Sequence, residues 1–360
     1  MGTGLFDISD GIIYKALSRH FHWQHSFGTR RVNLKEKKMQ MQDVFHYFGN
    51  DLKRAGEYME TYLESEVKLI PEIVRHLIGG GGKRFRPLLL LATAELCGYR
   101  GERRYPHAAV IEFIHTATLF HDDVVDHAET RRGRISANRI WGNEASVLIG
   151  DFLYSKSFKL MTEDGNLAIL KLISMTTNMM SEGEVFQLMK AGDVNTTEEE
   201  YLSIVEKKTA ILIAAACAIG GIIAEAKEGE IAALSQFGMG LGTAFQITDD
   251  ALDYVGQEEE FGKAIGQDLR DGKLTMPLIR TLKKCTPEER TIIQNGVKNR
   301  EEASASAIMK LINSYDGIAY SLEKAGNCVA AAKGFLSSFA DSTAKTALFT
   351  VADYVVERRI

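Results

Sequence analysis

Proline is scarce in this 360-residue sequence: there are five in all, and none between His107 and Met276. Because proline breaks helices, its absence from the middle of the chain argues for long helices and no sheet. Cysteine is scarce too. Cys97, Cys217, Cys285 and Cys328 lie far apart and form no CxxC pair, which excludes a zinc ribbon and a disulfide framework and suits buried thiols in a reducing cytoplasm. No uncharged apolar run exceeds the 15 residues from Ala210 to Ala224. Spanning a bilayer takes roughly 18 to 20, so no transmembrane segment is expected. An excess of basic charge is also lacking. The net charge of -5 and the want of a polybasic tract exclude nucleic acid and anionic lipid as partners held by bulk electrostatics.

What is present is helical pattern. From Asp43 onward, Val44, Phe45, Phe48, Leu52 and Ala55 recur at spacings of three and four with charges between them. The five prolines sit beside turn signals or at first helical positions. No linker or solenoid repeat divides the chain, and 45% hydrophobic residues can bury a large core. The expected architecture is one all-α domain over residues 39–360, with the apolar run at Ala210 to Ala224 as its central helix. Residues 1–38 lack sustained periodicity and read as a flexible extension, His20, His22 and His25 included. Met39 and Met41 stand where the periodic sequence starts, which leaves the true start of the protein open.

The chemistry is concentrated in HTATLFHDDVVDHAETRRGR, residues 115–134. At about 100° per residue, Asp122, Asp123 and Asp126 fall within about a 100° arc of one helical face. Two carboxylates ~4 Å apart repel by roughly 4 kcal/mol at an effective dielectric near 20, so a cation or a shared proton must hold them together. The spacing occurs again in FQITDDALD, as Asp249, Asp250 and Asp253. Hard oxygen ligands without soft neighbours suit magnesium, whose octahedron substrate phosphates and water complete. Gly79 to Pro87, GGGGKRFRP, allows close approach of an anion, with Lys83 and Arg86 placed to reach a phosphate.

These segments resemble the two aspartate-rich motifs and the glycine-basic loop of the trans-isoprenyl diphosphate synthases, with matching sequence from about Gly79 to Leu278. The likeness is nearest to octaprenyl and other long-chain polyprenyl diphosphate synthases. It implies a helical bundle around a central cavity, a homodimer, and a magnesium cluster held by Asp122, Asp123, Asp126, Asp249 and Asp250, with Asp253 in an outer position. It further implies that Lys83, Arg86, His115 and Arg132 bind the diphosphate of isopentenyl diphosphate. Arg131, Lys208, Thr209, Gln246, Lys263 and Lys273 would serve the allylic diphosphate, with Lys208 and Lys263 also acting in catalysis. Residues 180–193 resemble a helix lining a hydrophobic tunnel, and Glu357-Arg358-Arg359 offers a faint hint of a basic lid.

The implied reaction is head-to-tail condensation: an allylic diphosphate ionises, isopentenyl diphosphate attacks the cation, and a proton is lost. Product length is read from Ala117 and Thr118, five and four residues before Asp122. At about 1.5 Å rise per residue they lie roughly 6 to 7.5 Å along the helix from the metal end. Short-chain relatives carry aromatic residues there. Two small ones imply an open tunnel and a product above about C20, most simply about C35 to C50 and destined for a quinone side chain, a geranylgeranyl- or farnesyl-length product being the alternative. Two other classes stay open. A terpene cyclase needs only one diphosphate site, and a non-catalytic partner subunit should have lost some of these residues. The Glu112-x-x-His115 spacing also fits a di-iron bundle, but a second such motif is missing.

Deleting residues 1–38 should leave turnover and melting temperature nearly unchanged, since nothing there has the periodicity of a buried element. A large loss of either on truncation would show that the segment packs on the domain.

Overall fold

Every residue of the apolar run from Ile211 to Ile223 except Ile222 is buried, as an all-round apolar helix must be in water. In the computed structural model, which describes residues 39–79, 84–255, 266–299 and 302–358, the other helices assemble around it. In chain order they begin with α1 (Met41–Tyr47), α2 (Gly49–Tyr62), α3 (Leu69–Ile78), α4 (Phe85–Leu96) and α5 (Arg104–Val125). Two short strands, β1 (Thr130–Arg131) and β2 (Arg134–Ile135), precede α6 (Ala137–Trp141), α7 (Asn143–Asp164), α8 (Leu167–Lys190) and α9 (Glu198–Val205). A π-helical turn, Glu206–Ala210, leads into the central α10 (Ile211–Ile223), followed by α11 (Glu228–Leu252). The chain closes with α12 (Gln267–Arg270), α13 (Met276–Leu282), α14 (Pro287–Asn299), α15 (Glu302–Ser314), α16 (Gly317–Phe335) and α17 (Thr343–Glu357).

Helix α10 packs against α4, α5, α8 and α11. Leu88 to Leu91 of α4 are all fully buried. Four consecutive leucines cover every side of a helix, and α4 meets α2, α5, α10 and α17. Glycine lets two of these crossings close. A Cβ on Gly220 would lie 2.1 Å from the Thr93 hydroxyl and 2.7 Å from the Ala94 nitrogen, and one on Gly238 would lie 2.7 Å from Ala214 Cα. A second apolar cluster, including Phe113, Ala117, Phe120, Ile149 and Leu153, ties α5 to α7. Among the described residues no helix is long and apolar enough to cross a membrane.

The expectation of no sheet needs one correction. Thr130 pairs with Ile135 and Arg131 with Arg134 in an antiparallel register, closed by Arg132 (φ 52°) and Gly133 (φ 71°). Two central residues with positive φ make the primed turn that matches strand twist, so Arg-Gly in this place builds a minimal hairpin between helices.

Gly238→Ala should therefore destabilise the protein by about 1 to 3 kcal/mol, because backbone must move to admit the methyl group. Gly229→Ala in the same helix, where a Cβ would meet nothing within 4 Å, should not. Denaturant midpoints for the two variants check the contrast.

Candidate active site

Both acidic motifs lie in the last turn of a long helix. Helix α5 ends at Val125 with Asp126 as its cap, and α11 ends at Leu252 with Asp253 as its cap. The α5 end is closed by His127 at positive φ, with Ala128 N–H donating to Asp123 O (2.9 Å) and His127 N–H to Val124 O (3.3 Å). This pair of bonds is a Schellman closure with histidine in the glycine position. A helix C-terminus carries the negative end of the macrodipole, so acids there add like charge to like. Both ends reach one cavity of about 460 Å³, whose wall includes Asp122, Asp126, Asp249 and Asp250.

The six aspartates are not equivalent. Burial pushes the Asp122 carboxyl up to about 6; Lys208 pulls it back, while Glu184 and Asp126 push it further. Asp126 receives Lys273 Nζ at 3.3 Å. Asp123, one residue and about 100° from Asp122, is fully buried and does not line the cavity. Its Oδ1 accepts from Arg131 Nε (2.7 Å) and lies 2.6 Å from Arg131 Nη2, and its backbone carbonyl accepts from Asn138 Nδ2 (3.0 Å). Asp123 thus aims Arg131 rather than facing the cavity.

In the second motif, Asp249 is 41% exposed and takes Arg358 Nη1 at 2.8 Å. Asp250 is buried, with one oxygen accepting from Tyr201 Oη (2.6 Å) and the other from Gln246 Nε2 (2.7 Å). Burial pushes Asp250 up to about 6 against those two bonds. Asp253 Oδ2 accepts the backbone N–H of Asp268 (3.0 Å) and stands outside the cavity wall.

The basic residues divide into two groups. Lys208, on the π-helical turn, reaches Glu184 (2.6 Å) and Gln187 (2.8 Å) of α8. Beside it, Thr209 donates to Gln246 Oε1 (2.9 Å). Lys273 bridges Asp126 and Asp271. Burial pulls its ammonium down, but Asp126, Asp268 and Asp271 outweigh that and hold it above the usual lysine range. These residues line the cavity beside the acids, and Arg131 lines it with them.

Arg86, His115 and Arg132 form the other group. Burial first, then the charges of Arg86, Arg132 and Arg131, keep the His115 imidazole well below its ordinary range, so it stays neutral. Glu112 is buried one turn before His115. Burial pushes its carboxyl up, and Arg86, Arg132 and Arg84 pull it down; it is a counter-charge to arginines, not half of a di-iron site. Arg86 Nε is buried and has no hydrogen-bond partner among the described residues, as befits a cation awaiting an anion. Lys83, Lys263, Arg359 and the segment 1–38 lie outside the described residues.

Of the two residues read for product length, Thr118 lines the cavity. Ala117 is fully buried in the cluster with Phe113, Ile149 and Leu153. One step along α5 turns it from the cavity toward α7.

Several wall residues escaped the sequence reading: Tyr201, Asp268, His121 and Tyr154; Glu184 and Gln187 fall in the tunnel segment 180–193, but their pairing with Lys208 did not show there. Single acids and tyrosines on amphipathic helices carry no spacing signal. Arg358 was legible only as a faint basic terminus. It also donates to Phe245 O (3.1 Å) and lies 4.2 Å above the Phe245 ring.

The donors fit magnesium. They are hard carboxylate oxygens at two negative helix ends, and among the described residues no three close on a point as a finished cage. That spread suits an ion whose shell is completed by phosphate and water.

Known proteins resemble this chain in sequence and in fold. The polyprenyl synthetase family profile matches residues 67–315. The chain is 37% identical over 321 residues to octaprenyl diphosphate synthase of Escherichia coli strain K12, covering 89% of this chain and 99% of that protein. It is 33% identical over 334 residues to geranylgeranyl diphosphate synthase of Saccharolobus solfataricus, covering 89% and 100%. The crystal structure of polyprenyl synthase from Caulobacter crescentus CB15, complexed with calcium and isoprenyl diphosphate, superposes with a TM-score of 0.85 at 38% identity over 90% of this chain and 100% of that one. An all-α fold, two aspartate-bearing helix ends at one cavity and these likenesses lead to one conclusion: the chain belongs to the polyprenyl synthetase family and is a prenyltransferase, a trans-prenyl diphosphate synthase.

Proposed function

We propose that the protein is a long-chain all-trans polyprenyl diphosphate synthase, extending an allylic primer of farnesyl type with isopentenyl diphosphate to a product above about C20, most simply about C35 to C50. The observation that carries this reading is Thr118, a small residue on the cavity wall one helical turn, or about 6 Å, from Asp122. The 37% identity to an octaprenyl synthase supports it. The second reading, a geranylgeranyl-length product, draws on the Saccharolobus relative.

Asp122, Asp126 and Asp249 are the acids placed to hold magnesium, with Asp123, Asp250 and Asp253 engaged in positioning. Bound magnesium supplies positive charge for the departing diphosphate. Lys208, Lys273 and Arg131, with Lys263, bind and orient the allylic diphosphate through charge-assisted hydrogen bonds. Arg86, neutral His115 and Arg132, with Lys83, do the same for isopentenyl diphosphate. Leu119, Met180, Leu212 and Phe245 on the cavity wall exclude water from the allylic cation. No protein nucleophile is needed; catalysis is the placing of charge where charge develops.

A homodimer belongs to this reading, supported by Ile140, Val147 and Leu148, apolar yet exposed on α6 and α7. So does a reducing cytoplasm, supported by the free thiols of Cys97, Cys217, Cys285 and Cys328. The product's use in a quinone side chain is part of the same proposal.

Mass analysis of the products from farnesyl diphosphate and excess isopentenyl diphosphate should show chains above about C20, and Thr118→Phe should move the main product toward about C15 to C20 by filling the cavity about one turn from the acids. A wild type that stops at farnesyl or geranylgeranyl length ends the long-chain reading, and hydrocarbon formed from the allylic substrate alone would indicate a cyclase.

The Asp122 carboxyl, pushed up to about 6, must lose its proton before it can ligate a cation. The magnesium concentration for half-maximal turnover should stay level above that pH and rise up to about tenfold per unit below it. Magnesium titrations at a series of pH values check this, and the rise should flatten in Asp122→Asn.

A further inference from the structure

Three hydrogen bonds in the cavity wall form a single chain across three elements. Tyr201 Oη of α9 donates to Asp250 Oδ2 (2.6 Å), Gln246 Nε2 of α11 donates to Asp250 Oδ1 (2.7 Å), and Thr209 Oγ1 of the π-helical turn donates to Gln246 Oε1 (2.9 Å). Tyr201 and Asp250 are both about 95% buried. We propose that Tyr201 is a positioning residue for ionisation of the allylic substrate, acting through Asp250 and Gln246 on the hydroxyl of Thr209.

The direction of every bond follows from the carboxylate. Ionised Asp250 can only accept, so the Gln246 edge that faces it must be the amide nitrogen, and the opposite edge must be the carbonyl oxygen. That oxygen can only accept, so Thr209 spends its single proton on Gln246. What Thr209 has left to present to the cavity is lone pairs, which can face the positive charge that forms on ionisation but cannot donate to the allylic diphosphate, the role the resemblance implied. One anchored carboxylate therefore fixes the orientation of an amide that could otherwise flip, and fixes the polarity of a hydroxyl that could otherwise rotate.

Tyr201 supplies the second anchor. With only Gln246 bound, Asp250 could swing about its side-chain torsions toward the cavity, where Asp249 is its neighbour in sequence and Asp268 also lines the wall. With Tyr201 on its other oxygen, both ends of the carboxylate are held between α9 and α11. The phenol is itself confined: α9 packs on α8, α11, α13 and the π-helical turn, and its N-terminus is fixed by a capping box in which Thr197 and Glu200 exchange bonds (3.2 and 3.0 Å). Tyr201 thus ties α9 to the Asp250 end of the relay, the arrangement by which a supporting shell holds a reacting group in place.

This inference rests on the synthase reading above, and its test separates the two. Tyr201→Phe keeps the ring and removes one hydrogen bond to a charged group, a loss of ~tenfold or more if all of it reaches turnover. Turnover at saturating substrates and magnesium should fall by roughly that factor. The KM for isopentenyl diphosphate and the magnesium half-saturation concentration should both stay within about twofold of wild type. Gln246→Leu, which cuts the chain one link further on, should show the same split. In a Thr209→Val background, Tyr201→Phe should cost less than about twofold, because residues acting in one chain are not additive. Full turnover in Tyr201→Phe, additive losses in the double variant, or a loss that appears only as raised magnesium demand would each overturn the proposal. An inactive wild type would instead end the synthase reading.

Discussion

Two long helices bring the negative ends of their dipoles, each loaded with aspartates, to the same cavity, and the rest of the site is arranged around that repulsion. At an effective dielectric near 20, each close pair of like charges costs roughly 4 kcal/mol. The described residues answer it with cations of their own: Lys273 on Asp126, Arg131 on Asp123, Arg358 on Asp249, and Lys208 between α8 and the acids. Asp122, Asp126, Asp249 and Asp250 line the cavity, while outside it Asp123 holds Arg131 and Asp253 holds the backbone of Asp268.

Such a concentration of charge needs a scaffold that cannot yield to it. The central helix α10 is enclosed by four others, and its crossings with α4 and α11 are so close that glycine is required at Gly220 and Gly238. Helix α11 is therefore gripped along its middle while its last turn projects into the cavity. The π-helical turn at Glu206–Ala210 sits where α9 becomes α10 and sets both Lys208 and Thr209 on the cavity wall, at the junction between the polar end and the apolar core.

The helical architecture was legible because its signals are long-range and redundant: an apolar run without charge, a stretch without proline, and apolar residues recurring at spacings of three and four. The two aspartate clusters were legible because they repeat. The individual roles within them were less so. Asp122 and Asp123 are chemically identical neighbours, and only the three-dimensional position of Arg131 and Asn138 reveals that one is wall and the other is anchor. The same single step separates Thr118 on the cavity from Ala117 against Phe113 and Leu153. The hairpin at residues 130–135 was hidden because Arg132 adopts a backbone conformation more usual for glycine or asparagine. Glu184, Tyr201 and Asp268 come from separate parts of the chain and have meaning only where the fold assembles them.

The ring of His121, next to the first acidic motif, stacks on Tyr154 at 5.9 Å and reaches the carbonyl of Val147 at 3.2 Å. It lies directly over Gly150, where an added Cβ would come within 2.2 Å of its Nε2. The imidazole occupies the space that a side chain at position 150 would need. A side chain at position 150 would have to push that imidazole aside, at the expense of its stacking on Tyr154 and its contact with the Val147 carbonyl. His121 and Tyr154 both line the cavity, so bulk added at position 150, behind them, would reshape this wall without touching an aspartate.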